Sequence, residues 1–578
     1  MFPFSTRKNK RGKLNLHIAF DEVLVDASLH GSIDEAKPAS ILEKPFSRFS
    51  FFLFFTFIIF LLVFLLTRVS WLTLLQGEAY AKRAASNSIQ KTVFSPPRGL
   101  IYDRKGRIIV ENRWVSHENE IQRTIHDDVA FSHVIGFVGL PALEDVEKDL
   151  ELYNFSAVGR DGVEYFYDEY LRGELGEQLQ EVDADGIVVS EGIIRDAVPG
   201  KSIVLTLDAE FQKFAYEALS KTAAERGFQG GALIVFDVVS GEVFALISIP
   251  SFNVNLFSGG ISSEEFKKLL ENPSNPFFNR AIAGNYPPGS AIKPYIAVAA
   301  LTENIITANK QIFSSGSISI PDPYYPGRST VFKDWRAHGF VDMRRALAVS
   351  SNVYFYAIGG GFGDVKGLGI KKIREWLYRF GFGSVTGIDL AGEKTSVVPG
   401  PDEKQFLHPS DPIWRIGDTY HVSIGQGDVL ATPIQAARAI GGLANGEYLP
   451  TLHLLKKVVD DDMTAIKEWT GTPVLLHLNK DELKIVHEGL KLAALEGTAS
   501  ALGSQEIPVA VKTGTAQAAE KNRTHSWLVG FAPSQEPKLG MVVFLEAGPS
   551  ENQVGSVFVA LQLLNWISEH GGIAELTD

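Results

Sequence analysis

The stretch Phe49–Leu66 holds no charged residue and is built mostly of Phe, Leu and Ile. Extended through Val69-Ser70-Trp71-Leu72, it is long enough as a helix to cross ~30 Å of hydrocarbon, which predicts a membrane-spanning helix over 49–72. A chain with such a segment does not fold as one water-soluble globule. A cleaved signal peptide is one alternative, but the stretch lies far from the N-terminus, no small-residue cleavage site closes it, and its apolar core exceeds the usual ~7–15 residues. A buried core helix is the other. Arg7, Lys8, Lys10, Arg11 and Lys13 cluster on the N-terminal side. The positive-inside bias therefore makes 1–48 a cytoplasmic tail and sets everything after Trp71 outside, tethered to the cytoplasmic membrane by a single pass.

The remainder of the chain is large for one domain. The whole has 578 residues, 45% of them hydrophobic, enough for two folded parts. A net charge of −13 argues against a nucleic-acid partner, because phosphate binding needs a basic face. The absence of cysteine excludes disulfides, thiol catalysis and Cys-ligated metal sites. Thirteen histidines include no His-Glu-x-x-His pair. Gly359–Gly363 lacks dinucleotide spacing and reads as a loop, and Gly200-Lys201-Ser202 lacks the upstream glycine of a phosphate loop. No metal or organic cofactor is expected.

Residues 76–95 read as a polar helix leading off the membrane. Ser202–Leu207, Gly231–Phe236 and Val243–Ile247 read as strands, with a helix through Phe211–Leu219 and a turn at Val239–Glu242. This alternation predicts an α+β fold on an antiparallel sheet. Asn479 with Glu482 reads as a capping start to a helix reaching Leu495, and Val557–Ile567, ending at Gly571-Gly572, as the closing helix.

The chemistry centres on Tyr286-Pro287-Pro288-Gly289-Ser290-Ala291-Ile292-Lys293-Pro294. If a helix begins at the serine, Lys293 lies one turn on, over Ser290, as a base beside a nucleophile. The helix start offers backbone N–H groups to an oxyanion, Gly289 leaves room for substrate, and Pro294 would leave the Ser290 carbonyl without its helical partner. One Ser-x-x-Lys is commonplace. Here Ser350-Ser351-Asn352 comes about 60 residues later, behind the helical-looking Asp342–Val349, and Lys512-Thr513-Gly514-Thr515 comes after the apolar run Ile507–Val511. Any one of the three segments is weak; together, and in this order, they are specific.

These residues resemble the penicilloyl serine transferases, and within them the class B, elongation-type penicillin-binding proteins (the penicillin-binding protein 2 group). Asn279-Arg280-Ala281, Asp334-Trp335, Tyr354-Phe355-Tyr356, Thr386–Leu390, Ile424-Gly425-Gln426-Gly427 and Trp527–Pro533 extend the likeness, which covers most of 76–570. The resemblance implies an α+β penicillin-binding/beta-lactamase-like transpeptidase domain with helices on both faces of an antiparallel sheet, over 201–578. A β-rich pedestal of the dimerisation type would occupy 76–200. Two departures stand out. Ala291 replaces the usual Thr, and only 20 residues separate Asn112 from His133, where the family usually inserts a lobe.

The family's chemistry assigns Ser290 as nucleophile and Lys293 as a base that must be neutral to act. Burial against Ile292 and Tyr286 and the charge of Lys512 would depress the Lys293 pKa, with hydrogen bonds to Ser290, Ser350 and Asn352 expected. Ser350, placed between Lys293 and Lys512, would relay a proton to the departing amine, and Asn352 would hold a substrate amide. Lys512, Thr513, Gly514 and Thr515 would bind the terminal carboxylate, and the backbone N–H groups of Ser290 and Thr515 would form the oxyanion hole. His338 and His525 are expected to support the site structurally.

The implied substrate is a peptidoglycan stem peptide ending in D-Ala-D-Ala, cross-linked through an acyl-enzyme. Beta-lactams would acylate the same serine. With no room for a polymerase domain before residue 200, the implied partner is a multi-span glycan polymerase of the shape, elongation, division and sporulation family. A D,D-carboxypeptidase or beta-lactamase, a beta-lactam sensor and a non-catalytic scaffold are the rival readings.

Overall fold

The computed structural model describes residues 48–115, 120–182, 188–258, 260–321, 325, 327–551 and 554–577. The expected cytoplasmic tail, apart from Arg48, lies outside them. Two compact units divide at Asn87/Ser88.

In the first unit an α-helix runs Arg48–Ser70 and continues as a π-helix over Trp71–Leu75. Its most apolar 18 residues have a mean hydropathy of 2.9, and none of them is buried within the protein. Phe and Leu point outward all round, the pattern of a helix solvated by hydrocarbon. Thr56, Thr67 and Thr73 return their hydroxyls to backbone carbonyls four residues back, so the stretch presents few free polar groups. The polar helix expected over 76–95 is shorter, Gly77–Ser88. Ile89–Phe94, at the start of the second unit, is a strand paired with Gly176–Val182, to which the β-branched Thr92 and Val93 are suited.

The second unit is built on a five-stranded antiparallel sheet in the order Val243–Ile249, Gly230–Asp237, Leu539–Pro549, Arg523–Ala532, Ala510–Gln517. Alternate residues of each strand serve two cores. Ile234, Phe236, Val542 and Phe544 pack with the helices Lys293–Thr302 and Pro433–Asn445 on one face. Leu233, Val235, Val543 and Leu545 pack on the other with the helices Ala209–Arg226 and Gly555–Glu569. Asp208 caps the first of these helices through Phe211 N (3.0 Å) and Gly227 closes it at φ +73°. The helix Gly555–Glu569 does not close the chain, as had been expected of it. After Gly571 and Gly572, both at positive φ, a further turn of helix runs Gly572–Thr577.

A six-stranded sheet runs Ala465–Glu468, Leu455–Val459, Ser202–Leu205, Ile101–Tyr102, Ile108–Val115, Glu120–Ile125. It crosses the expected boundary at 200, because Ile101 and Tyr102 pair in parallel with Ile203 and Val204. Around the pedestal, buried Glu164 accepts from both Arg98 (2.7 Å) and Arg123 (2.7 Å).

Candidate active site

Pro287 and Pro288 lead into a 3-10 turn over Gly289–Ile292, and the α-helix begins only at Lys293. This differs from a helix starting at the serine. The tighter turn lets Lys293 N donate to the Ser290 carbonyl, which meets the need that Pro294 was expected to leave open. The turn is pinned from two sides. Gly289 N donates to Gly425 O (2.9 Å), and the Trp527 indole donates to Pro287 O (3.1 Å). Gly289 sits at φ +54°, and a Cβ there would lie 2.6 Å from Thr515 O. Its glycine character thus answers to the neighbouring strand as well as to any substrate.

The second wall comes after the helix Met343–Ala348, capped by Asp342 at Arg345 N (2.9 Å). The chain then turns through Ser350 at φ 59°, a conformation costly for a non-glycine residue and stable only when its surroundings hold it. Asp334, to which the sequence motifs assign no role, supplies that hold. Its Oδ2 accepts from Ser351 Oγ (2.8 Å), Val353 N (3.0 Å) and Ser314 Oγ (3.2 Å), and its Oδ1 from Trp335 N (2.9 Å). Burial pushes its pKa up, but the backbone N–H groups of Asn352 and Val353 and the charge of Lys293 outweigh this and leave it lowered.

Lys293 is fully buried, and its Nζ donates to Ser350 O (2.8 Å), Asn352 Oδ1 (2.7 Å) and Ser350 Oγ (3.3 Å). Three contacts fill an ammonium's three donors. The expected hydrogen bond to Ser290 is therefore not among those of the described residues, and only loss of a proton would give Nζ a lone pair to offer the serine. Burial lowers the Lys293 pKa to about 7 against a smaller opposing pull from Asp334. The Phe355 ring lies 5.3 Å away.

The third wall is Ala510–Gln517, the edge strand of the main sheet. Lys512, also fully buried, donates to Ser350 Oγ (2.9 Å) and Thr513 O (2.7 Å). Its pKa falls well below the usual lysine value through burial, then through the charge of Lys293. Thr513 Oγ1 meets Thr498 Oγ1 at 2.5 Å, a supporting residue that nothing in the sequence announces, and Gln426, known there only as part of the family likeness, donates to Thr515 O (3.4 Å). A Cβ on Gly514 would lie 2.6 Å from Pro288 O and 3.0 Å from Ala291 N. The bare Cα of this glycine therefore admits the Ser290 turn against the strand.

Ser290, half-buried, thus lies in the turn against Thr515, while both lysines converge on Ser350 Oγ. His338 Nε2 lies 3.6 Å from Asp334 Oδ1, and His525 accepts from Ala547 N (3.3 Å) with its pKa lowered to about 4 by burial. Gly359 and Gly360, expected in a loop, end the helix Asn352–Gly360. A Cβ on either would strike Ser423 or Tyr420, so their absence of side chains permits close helix packing.

The family pattern described as the penicillin binding protein transpeptidase domain matches residues 231–561, and that of the penicillin-binding protein dimerisation domain matches 114–205. Peptidoglycan D,D-transpeptidase MrdA of Haemophilus influenzae is 31% identical, covering 84% of this chain and 87% of its own. Among solved structures, Pseudomonas aeruginosa PBP2 in complex with WCK 5153 aligns with a TM-score of 0.70 at 29% identity, covering 85% of this chain and 100% of the other. A chain of a peptidoglycan synthase complex that coordinates polymerization and crosslinking aligns at 0.68 and 28% identity, covering 89% and 97%. The chain belongs to the penicillin-binding protein transpeptidases, in the penicillin-binding protein 2 branch.

Proposed function

We propose that this elongation-type peptidoglycan D,D-transpeptidase forms and resolves its acyl-enzyme on Ser290, with Lys293 as base. The observation that carries the reading is the meeting of two fully buried lysines on one hydroxyl, Ser350 Oγ, beside the Ser290 turn. A stem-peptide carboxylate arriving at Lys512, Thr513 and Thr515 favours the charged form of Lys512 and, through it, the neutral form of Lys293. Neutral Lys293 takes the proton of Ser290 Oγ as the oxygen attacks the carbonyl carbon of the penultimate D-Ala. The backbone N–H groups of Ser290 and Thr515 hold the oxyanion, a contribution on the order of 3 kcal/mol per donor. Ser350 passes the proton to the departing nitrogen, the C–N bond breaks, and D-alanine leaves. Asn352 holds the stem-peptide amide. An amine of a second stem then attacks the ester, its proton returns to Ser290, and the cross-link forms. Beta-lactams acylate the same oxygen, and no cofactor takes part.

The division we adopt is a tail over 1–48, a membrane helix over 49–72, a pedestal over 76–200 and the transpeptidase domain over 201–578. The basic tail supports a cytoplasmic N-terminus with the catalytic domain outside. The related chain from a peptidoglycan synthase complex supports a multi-span glycan polymerase of the shape, elongation, division and sporulation family as partner. Mass spectrometry of the penicillin-treated full-length protein tests the site: the drug is expected on Ser290, and an adduct on any other residue overturns the assignment.

A further inference from the structure

A cavity of about 700 Å³, well within the ~300–1,000 Å³ of small-ligand sites, shares no lining residue with the catalytic cleft. It opens between the turn at Val239–Glu242, the segment from Tyr448 to Lys457, and the segment from Glu468 to Pro473. Its floor is fixed by backbone. His453 N donates to Gly241 O (3.1 Å), and Val243 N donates to His453 O (3.1 Å). Gly241, at φ +83°, comes so close that a Cβ would lie 2.3 Å from Thr451 O. On this floor the buried imidazole of His453 stacks flat on Trp469, with centroids 4.7 Å apart and planes 9° apart, so the indole is held in one orientation.

The rim carries two charges of each sign. Lys456 Nζ lies 4.0 Å from Glu242 Oε1, and Lys457 stands opposite Glu468 across the antiparallel pair. Paired signs disfavour a phosphorylated ligand, which would face Glu242 and Glu468, and equally a cation, which would face the two lysines. A wholly apolar ligand would strip water from four charges without replacing it. A neutral ligand with one apolar face and a polar edge suits an immobilised indole ringed by donors and acceptors. A hexosamine ring has that form, and its acetamido group offers one donor and one acceptor to the mixed rim.

Resting on the reading of this chain as a peptidoglycan D,D-transpeptidase, we infer that the cavity is a subsite for a short run of N-acetylated hexosamine glycan, seated against Trp469 and bonded along the Lys457–Glu468 rim. The stem peptide reacts at Ser290; the sugar backbone to which such peptides are attached is held here.

The probe is tetra-N-acetylchitotetraose, titrated onto the full-length protein in detergent, with ligand-observed NMR as readout and fluorescent-penicillin labelling as a check on the intact cleft. Saturable binding by the wild type, weakened at least about tenfold by Trp469→Ala with labelling retained, supports the subsite; that loss corresponds to about 1.4 kcal/mol. If Trp469→Ala loses labelling, Trp469→Phe and Lys457→Ala replace it, and weakened saccharide binding in either is the supporting result. No saturable binding by the wild type overturns the inference. So does binding that no variant alters, or capture of a sugar-free stem peptide in place of the saccharide. Because the titration does not depend on Ser290 chemistry, a failed acylation assay and a failed saccharide assay remain distinguishable.

Discussion

Two walls of the catalytic cleft are held in opposite ways. Around Ser350 the chain is fixed by side chains: a carboxylate, two ammonium groups and a carboxamide hold a turn in a conformation it would not choose alone. Along 510–517 the hold is main chain against main chain, with Gly289 and Gly514 removing the atoms that would keep strand and nucleophile turn apart. The first wall is electrostatic and answers to pH. Apart from Lys512, whose ammonium reaches across to the first wall, the second is steric, and its glycine contacts should be indifferent to pH but intolerant of a single added carbon.

The strongest way to break this contrast is Lys293→Ala. Loss of a general base lowers rates by about 10²–10⁴-fold, and fluorescent-penicillin acylation should fall within that range. Retention of near-normal acylation would remove the base from the mechanism. Next is Gly514→Ala, expected to slow acylation by on the order of 10²-fold through displacement of the Ser290 turn, equally at every pH. Gly192→Ala is the control, since a Cβ there meets nothing within 4 Å, and its effect on stability should stay within about 0.5 kcal/mol.

A gentler test sharpens the electrostatic side. In the proposed mechanism Lys293 acts unprotonated, so wild-type acylation should rise with pH through about 7 and then level off. Asp334 raises the pKa of Lys293, so Asp334→Asn should shift that rising limb to lower pH, and a limb that stays put would show the carboxylate to be only a scaffold. The smallest effect expected on acylation is that of Thr498→Val, which removes the contact to Thr513 Oγ1, worth about 1 kcal/mol, or a few-fold in acylation rate.

The two walls also differ in how far the sequence discloses them. Ser290, Lys293, Ser350, Asn352 and Lys512 can be found because a fixed order of short segments marks them, and the sheet can be found because Gly230–Asp237 and Val243–Ile249 are apolar on both faces. Asp334 is visible only as part of a family likeness. Of its partners, Ser314 lies 20 residues before it and Ser351 and Val353 lie 17 and 19 residues after it, so no local spacing marks its role. Gly514 is legible as part of the Lys-Thr-Gly segment, but a glycine announces a close approach without saying what approaches, and here it is the Ser290 turn. The α-helix starts three residues later than the serine, since a 3-10 turn and an α-helix share nearly the same sequence preferences and differ in where Lys293 N finds its acceptor.

The position of the steric wall at the margin of its sheet bears on what the enzyme can accept. A marginal strand keeps every second amide pointing outward, so under the proposed function it would recognise an incoming chain by the rhythm of that chain's own peptide groups. Side chains facing away from the margin are then weakly discriminated, which would let one enzyme tolerate chemical variety along its donor. Methylating a single amide nitrogen of a synthetic donor peptide should harm it more than exchanging an outward-facing residue.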